Sequence, residues 1–126
     1  MLLVNKKGNI LGLGMNLCSF TGFLADDPIL KTVNGVSVLN FTLVTYSYRR
    51  AKSTGEKSRM PAFLRCEAWH TGAETISKFA KKGSKISIFA SARNASKEDR
   101  QIVFRVNEFD FATTEDSDPV SGEKYA

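Results

Sequence analysis

The sequence predicts a mainly β domain, five strands closed into a small barrel with one short helix between the third and fourth strands. Three observations carry that expectation. Between residues 61 and 69, Leu64, Cys66 and Ala68 alternate with Phe63, Arg65, Glu67 and Trp69, the period of a half-buried strand. After Thr71 the apolar period changes, and Ala73, Ile76, Phe79 and Ala80 form one helical stripe. Two strand-like runs precede this pair and two follow it.

Residues 1–14 lie outside that pattern and read as an N-terminal extension, either a small hairpin or a loose segment. Residues 16–24 form the first strand, and Gly22 within it marks a bulge or a sharp bend. Ala25-Asp26-Asp27-Pro28 breaks the chain. Asn34-Gly35 is its strongest turn signal. Residues 36–46 form the second strand. Val36 and Val38 fall on one parity and Leu39, Phe41 and Leu43 on the other, so a bulge near Leu39 or Asn40 is expected.

Residues 47–61 carry five Lys or Arg and one acid, and read as a long, mobile hairpin loop. After the third strand, Thr71 and Glu74 have the spacing of a capping box. Lys81 and Lys82 suit the C-terminal end of a helix dipole, and Gly83 can close the helix. Residues 84–92 form the fourth strand, with Ile86, Ile88 and Ala90 inward. Residues 93–100 are a charged connection, and 101–112 form the fifth strand. Residues 113–126 have little apolar content and read as a disordered C-terminal tail. The order strand, strand, strand, helix, strand, strand is that of the OB-fold, a five-stranded Greek-key barrel. The domain is therefore expected over residues 15–112.

The 126 residues suit one domain, and the formal net charge of +5 favours an anionic partner. Cys18 and Cys66 are too few for a disulfide framework and read as free thiols in a reducing compartment. The apolar N-terminal run is interrupted by Asn5, Lys6, Lys7, Gly8 and Asn9, so it lacks the continuous core of a signal peptide. No run has transmembrane length. A cytoplasmic, nucleoid-associated protein without membrane contact is expected. One histidine and two separated cysteines give no zinc-ligand spacing, and no glycine-rich loop has a phosphate-cradle pattern. Neither catalysis nor a cofactor is expected.

The outer face of the third strand holds two large aromatics with an arginine between them. Non-specific binding of a single strand needs flat side chains for base stacking and a positive groove for phosphates. Trp69 and Phe63 are the stacking candidates here, with Tyr46 and Tyr48 at the end of the second strand. Arg49, Arg50, Lys52, Lys57 and Arg59 give the 47–61 segment its positive charge. Arg65 can pair with Glu67 or reach a phosphate. Lys85 and Arg93 share the outer parity of the fourth strand, and Arg105 lies on the fifth. Each has a plainer reading: Trp69 in a subunit interface, Phe63 under the long loop, the tyrosines as ordinary strand residues, the basic side chains as solvated charge. Phe89, Phe104, Phe109 and Phe111 read as core or interface.

The run Met15 to Gly22, then Asp27-Pro28, Asn34-Gly35-Val36 and Asn40 to Leu43, resembles the start of bacterial-type single-stranded DNA-binding proteins. Thr54-Gly55-Glu56, the strand ending in Trp69, Ala73-Glu74 and Lys81 to Ser84 continue the resemblance. It implies sequence-independent binding and protection of single-stranded DNA in replication, recombination and repair, by a homotetramer. It implies stacking by Phe63 at the head of the third strand and by Trp69 farther along it. At the end of the second strand, an ungapped count sets Arg49 where the family often has an aromatic, beside Tyr48 and near Tyr46. On the hairpin between the fourth and fifth strands the family's aromatic position falls near Lys97, in a shorter loop without an aromatic. The family's acidic terminal tip is not matched by Gly-Glu-Lys-Tyr-Ala126, so enzyme recruitment through such a tip is not expected. A short phage, plasmid or organelle form would fit. The residues leave two alternatives open: a protein–protein assembly subunit of primosome type, and a single-stranded RNA binder.

Overall fold

The computed structural model describes residues 2–4, 6–8, 10–13 and 15–111. The disordered tail expected over 113–126 lies outside them. Leu2–Val4 (β1) and Ile10–Leu13 (β2) pair antiparallel as a separate two-stranded sheet, the hairpin alternative for the extension.

The five expected strands are Cys18–Leu24 (β3), Val36–Arg50 (β5), Lys57–Trp69 (β6), Lys85–Asn94 (β7) and Ile102–Phe111 (β8). Their order in the sheet is β3-β7-β8-β6-β5, and β3 pairs again with β5 to close the ring. The β6–β8 contact is parallel and the others are antiparallel. This is the closed OB barrel. Leu24, Leu39, Leu43, Cys66, Ile76, Ile86 and Ile88 form its fully buried centre. The helix α1, His70–Phe79, lies against β5 and β6.

Closure sets the tightest contact in the barrel. β3 meets β5 only at Phe23–Val44 and Leu24–Leu43. A Cβ at Gly22 would lie 2.2 Å from the Val44 carbonyl oxygen. The expected bend at Gly22 is therefore a close backbone approach; the register of β3 with β7 runs through it without a shift.

Several expectations need correction. Residues 29–33 form an additional edge strand, Ile29–Val33 (β4), joined to β5 by Asn34-Gly35. Both turn residues have positive φ, 50° and 77°, the type I′ geometry that matches strand twist. No bulge occurs near Leu39; β5 pairs with β4 and β6 in unbroken register. The change of phase arises because both parities are covered there: Leu39 faces the core, and Val38 is buried on the outer parity opposite Trp69. An irregularity lies instead between Phe89 and Ala90, where Asn107 of β8 is the extra residue.

The 47–61 segment is mostly ladder. β5 and β6 remain paired out to Arg50–Lys57, leaving residues 51–56 as the loop. Ala51 N–H donates to the Glu56 carbonyl, and Gly55 N–H to the Ala51 carbonyl.

The capping box does not form. The N-cap is Trp69, without a side-chain cap, and His70 has φ 56°, so the strand turns sharply into the helix two residues before the expected cap. Glu74 instead accepts a hydrogen bond from Ser37. Ala73, Ile76 and Ala80 are buried as expected, but Phe79 is 65% exposed and meets the edge of Phe111. The helix ends at Phe79 with Ala80 as its C-cap, so Gly83, at φ 88°, serves the following turn and donates to the Leu24 carbonyl.

Gly22→Ala should therefore destabilise the domain, by about 1–3 kcal/mol as overpacking commonly does. The urea midpoint should fall with an unchanged denaturant slope. A variant as stable as the parent would mean that β3 and β5 are not in this contact.

Candidate nucleic-acid interface

The β5–β6 register sorts every side chain of the two strands onto one of two faces. Arg50–Lys57, Tyr48–Arg59, Tyr46–Pro61, Val44–Phe63, Thr42–Arg65, Asn40–Glu67 and Val38–Trp69 are the outward pairs. The closure contact extends one of these rows across the barrel, because Phe23 opposes both Val44 and Lys85. Aromatic and basic side chains thus share one continuous face from the hairpin tip to the start of α1.

Within it, cations lie over rings. The Arg59 guanidinium is 4.1 Å from the Tyr46 ring centre, and Lys57 Nζ is 4.5 Å from that of Tyr48. Lys85 Nζ is 5.9 Å from Phe23, and the Arg105 guanidinium is 5.2 Å from Trp69. These are cation–π distances. Phe63 is 66% exposed, as no core side chain would be. Between it and Tyr46 is an open cavity of about 210 Å³, with Lys82 and Gly83 at its rim.

The expected site residues fall unevenly on this surface. Trp69, Phe63, Tyr46, Tyr48, Arg50, Lys57, Arg59, Arg65 and Lys85 share the outward face. Arg49 opposes Ser58 on the other face of the hairpin. Lys52 lies in the 51–56 loop, and Lys97 on the turn between β7 and β8, which is closed by Ala95–Gln101 and Ser96–Asp99 hydrogen bonds. Arg65 reaches Gln101 at 3.5 Å rather than pairing with Glu67. Phe23 and Lys82 were missed by sequence reasoning. The signal for Phe23 was the glycine beside it, which brings the strand against Val44. Lys31, on the edge strand β4, opposes Val38 in the same row as Trp69.

Arg93 is engaged elsewhere. Its guanidinium forms an ion pair with Glu67, which is 3% exposed. Burial alone would push the Glu67 carboxyl up. Hydrogen-bond donation from Arg93, the Trp69 indole N–H and the charges of Arg93 and Arg105 outweigh it and hold the carboxyl below its ordinary value. The indole Nε1 is buried and acts on this carboxylate from a position looser than regular hydrogen-bond geometry. Cys66 is different: burial pushes its thiol up to about 12, with a backbone contact at Leu43 opposing, so it stays protonated and inert at neutral pH.

Among the described residues no group of three or more His, Cys, Asp or Glu side chains could hold a metal ion. Among them, too, no helix is long and apolar enough to cross a membrane.

The lowered Glu67 carboxyl makes a prediction with a definite sign. Its stabilisation is complete above the unfolded carboxyl value, about 4.3 for Glu, and is lost as pH falls through the lower folded value. The stability difference between the parent and Glu67→Gln should be constant near neutrality and shrink in acid. Thermal unfolding of both proteins across this range would measure it. A difference that does not change with pH would contradict a lowered carboxyl.

Comparison with known proteins gives a consistent set of relatives. The single-strand binding protein family matches residues 15–110. A single-stranded DNA-binding protein of Halalkalibacterium halodurans is 38% identical over 71 residues, covering 56% of this chain and 40% of that protein. One from Oceanobacillus iheyensis is 31% identical over 93 residues, covering 71% of this chain and 56% of that protein. The chain spans about half the length of the curated relatives it matches. Among solved structures, the wild-type single-stranded DNA binding protein of Thermus aquaticus superposes with a TM-score of 0.68 at 17% identity, over 82% of this chain and 52% of that one. The Plasmodium falciparum SSB complex with ssDNA gives a TM-score of 0.65 at 20% identity, over 81% of this chain and 98% of that one. At these identities the structural likeness concerns the fold.

Proposed function

The chain belongs to the single-strand binding protein family, and from that premise we propose that it binds single-stranded DNA without sequence preference along the outward face of β5 and β6. The observation that carries this reading is the interleaving of rings and cations on that face. Stacking uses the π-face common to all bases, and Lys or Arg beside each ring meets the phosphates that flank a stacked base. Trp69, Phe63, Tyr46 and Tyr48 are the stacking groups. Arg50, Lys57, Arg59, Arg65 and Lys85 are the cations best arranged for phosphates on that face, and Lys52 and Lys97 can reach the strand from the two hairpin ends. The protein is a binding protein, not an enzyme, and needs no cofactor. Its role is to cover and protect exposed strands during replication, recombination and repair, in the cytoplasm at the nucleoid.

We infer further that it acts as a homo-oligomer, a tetramer on the family pattern. Two features support self-association. Among the described residues, Cys18–Gly22 of β3 pair with β7 alone, so one edge of this part of the strand has no ladder partner. Beside it, Leu17 and Phe89 are exposed apolar side chains lining one depression. A monomer mass in light scattering at micromolar concentration would contradict it.

Two measurements test the DNA reading. Trp69→Ala should cost about 1–3 kcal/mol of oligo(dT) affinity, similar on other single strands. Changing Arg50, Lys57 and Arg59 together to Ala should lower the slope of log affinity against log salt by about 0.7 per lost phosphate contact. Arg49→Ala, on the opposite face, should change it less. An unchanged slope in the triple variant would make those cations solvated surface only.

A further inference from the structure

Glu67 is an unusual residue for a face read as binding phosphates. A carboxylate there repels the ligand, and burying it has its own desolvation cost. Yet it is buried between Arg65 and Trp69 on the outward parity of β6. Arg93 reaches it from β7 across the intervening strand β8. The contact is two-pronged: Nε to one carboxylate oxygen, and Nη2 to the other at 2.5 Å. Nη1 donates to the carbonyls of Asn94 and Ala95, at 2.6 and 3.2 Å. Four of the five guanidinium N–H groups are thus used, and the side chain is tied to the hairpin that starts there. Val103, opposite Arg93 on β8, is buried on the same face.

We propose that Glu67 is a positioning residue for Trp69, with Arg93 as its clamp rather than a phosphate contact. This rests on the single-strand reading above and deepens it at one site. Glu67 and Trp69 are two residues apart on one face, and Glu67 stands opposite Arg105 on β8, the residue whose side chain covers the indole. The Glu67 carboxylate attracts that guanidinium. The ring and its cation are therefore held in place before a base arrives. Ordering them in advance removes part of the entropy lost on binding. Arg105 is then the cation set beside a base stacked on Trp69.

The two roles open to this ion pair predict opposite signs for Glu67→Gln. If Glu67 only restrains a phosphate-binding Arg93, the variant releases it. Affinity for oligo(dT) then rises, and the salt slope steepens by about 0.7 for one added contact. If Glu67 positions Trp69, affinity falls by about tenfold, within the loss expected for one stacked base. The salt slope stays as in the parent. The emission of Trp69, the one tryptophan in the chain, shifts toward that of a solvated indole, and its quenching by oligo(dT) shrinks. Arg93→Lys is the second variant. It keeps the charge and loses the two-pronged contact, so it should reproduce the weaker quenching at unchanged slope. An Arg93→Lys protein with parental affinity and quenching overturns the positioning role, as does tighter binding by Glu67→Gln. Should Glu67→Gln fail to fold, Arg93→Lys alone decides. Failure of the parent protein to bind oligo(dT) would overturn the single-strand reading itself.

Discussion

The pairing of β5 with β6 is the constraint on which the rest of the molecule depends. All thirteen residues of β6 are paired with β5 in an unbroken register. Side chains alternate across a strand, so this one register assigns Leu64, Cys66 and Ala68 to the core and Phe63, Arg65, Glu67 and Trp69 to the outside. A slip of one residue would exchange the two sets, placing Arg65 and Glu67 in the barrel and Leu64 in water. The core penalty for that exchange fixes the register, and the fixed register builds the outward face. That face is thus specified by what the other side of the strand must bury.

Closure adds the third dimension. Gly22 lets β3 come against β5, and Phe23 then joins Val44 and Phe63 in a row that ends at Lys85. The face is therefore wider than two strands. Past the barrel, the same ladder continues into the hairpin, so Tyr48, Arg59, Lys57 and Arg50 extend on paired backbone rather than on a loose loop. A side chain on a ladder loses less freedom on binding than one on a mobile loop, which lowers the entropy cost of contacting a strand of nucleic acid.

Much of this was legible in the sequence, and the reasons differ by element. The strand ending at Trp69 was readable because one of its faces is wet, so alternation survives. The inner face of β7 was readable for the same reason, and Ile86, Ile88 and Ala90 are all fully buried. β4 was not, since all five of its residues are exposed and no apolar alternation marks such an edge. The outer half of the β5–β6 hairpin reads as loop because its composition is polar on both faces; only the pairing partner reveals the ladder. At the helix start, the Thr71–Glu74 spacing was misleading because the chain turns at His70, before the threonine. On the outward face, parity places Phe63, Arg65, Trp69 and Lys85, the hairpin cations are marked only by the charge of their segment, and the engagement of Arg93 with Glu67 crosses an intervening strand and leaves no local pattern.

The central claim is that single-stranded DNA lies along the outward face of β5 and β6. Photo-crosslinking with oligonucleotides carrying a halogenated uracil, followed by identification of the modified residues, tests it most directly. The account predicts adducts at Trp69, Phe63, Tyr46 and Tyr48. Adducts confined to exposed aromatics elsewhere, Phe79 on α1 or Phe89 on β7, would contradict it.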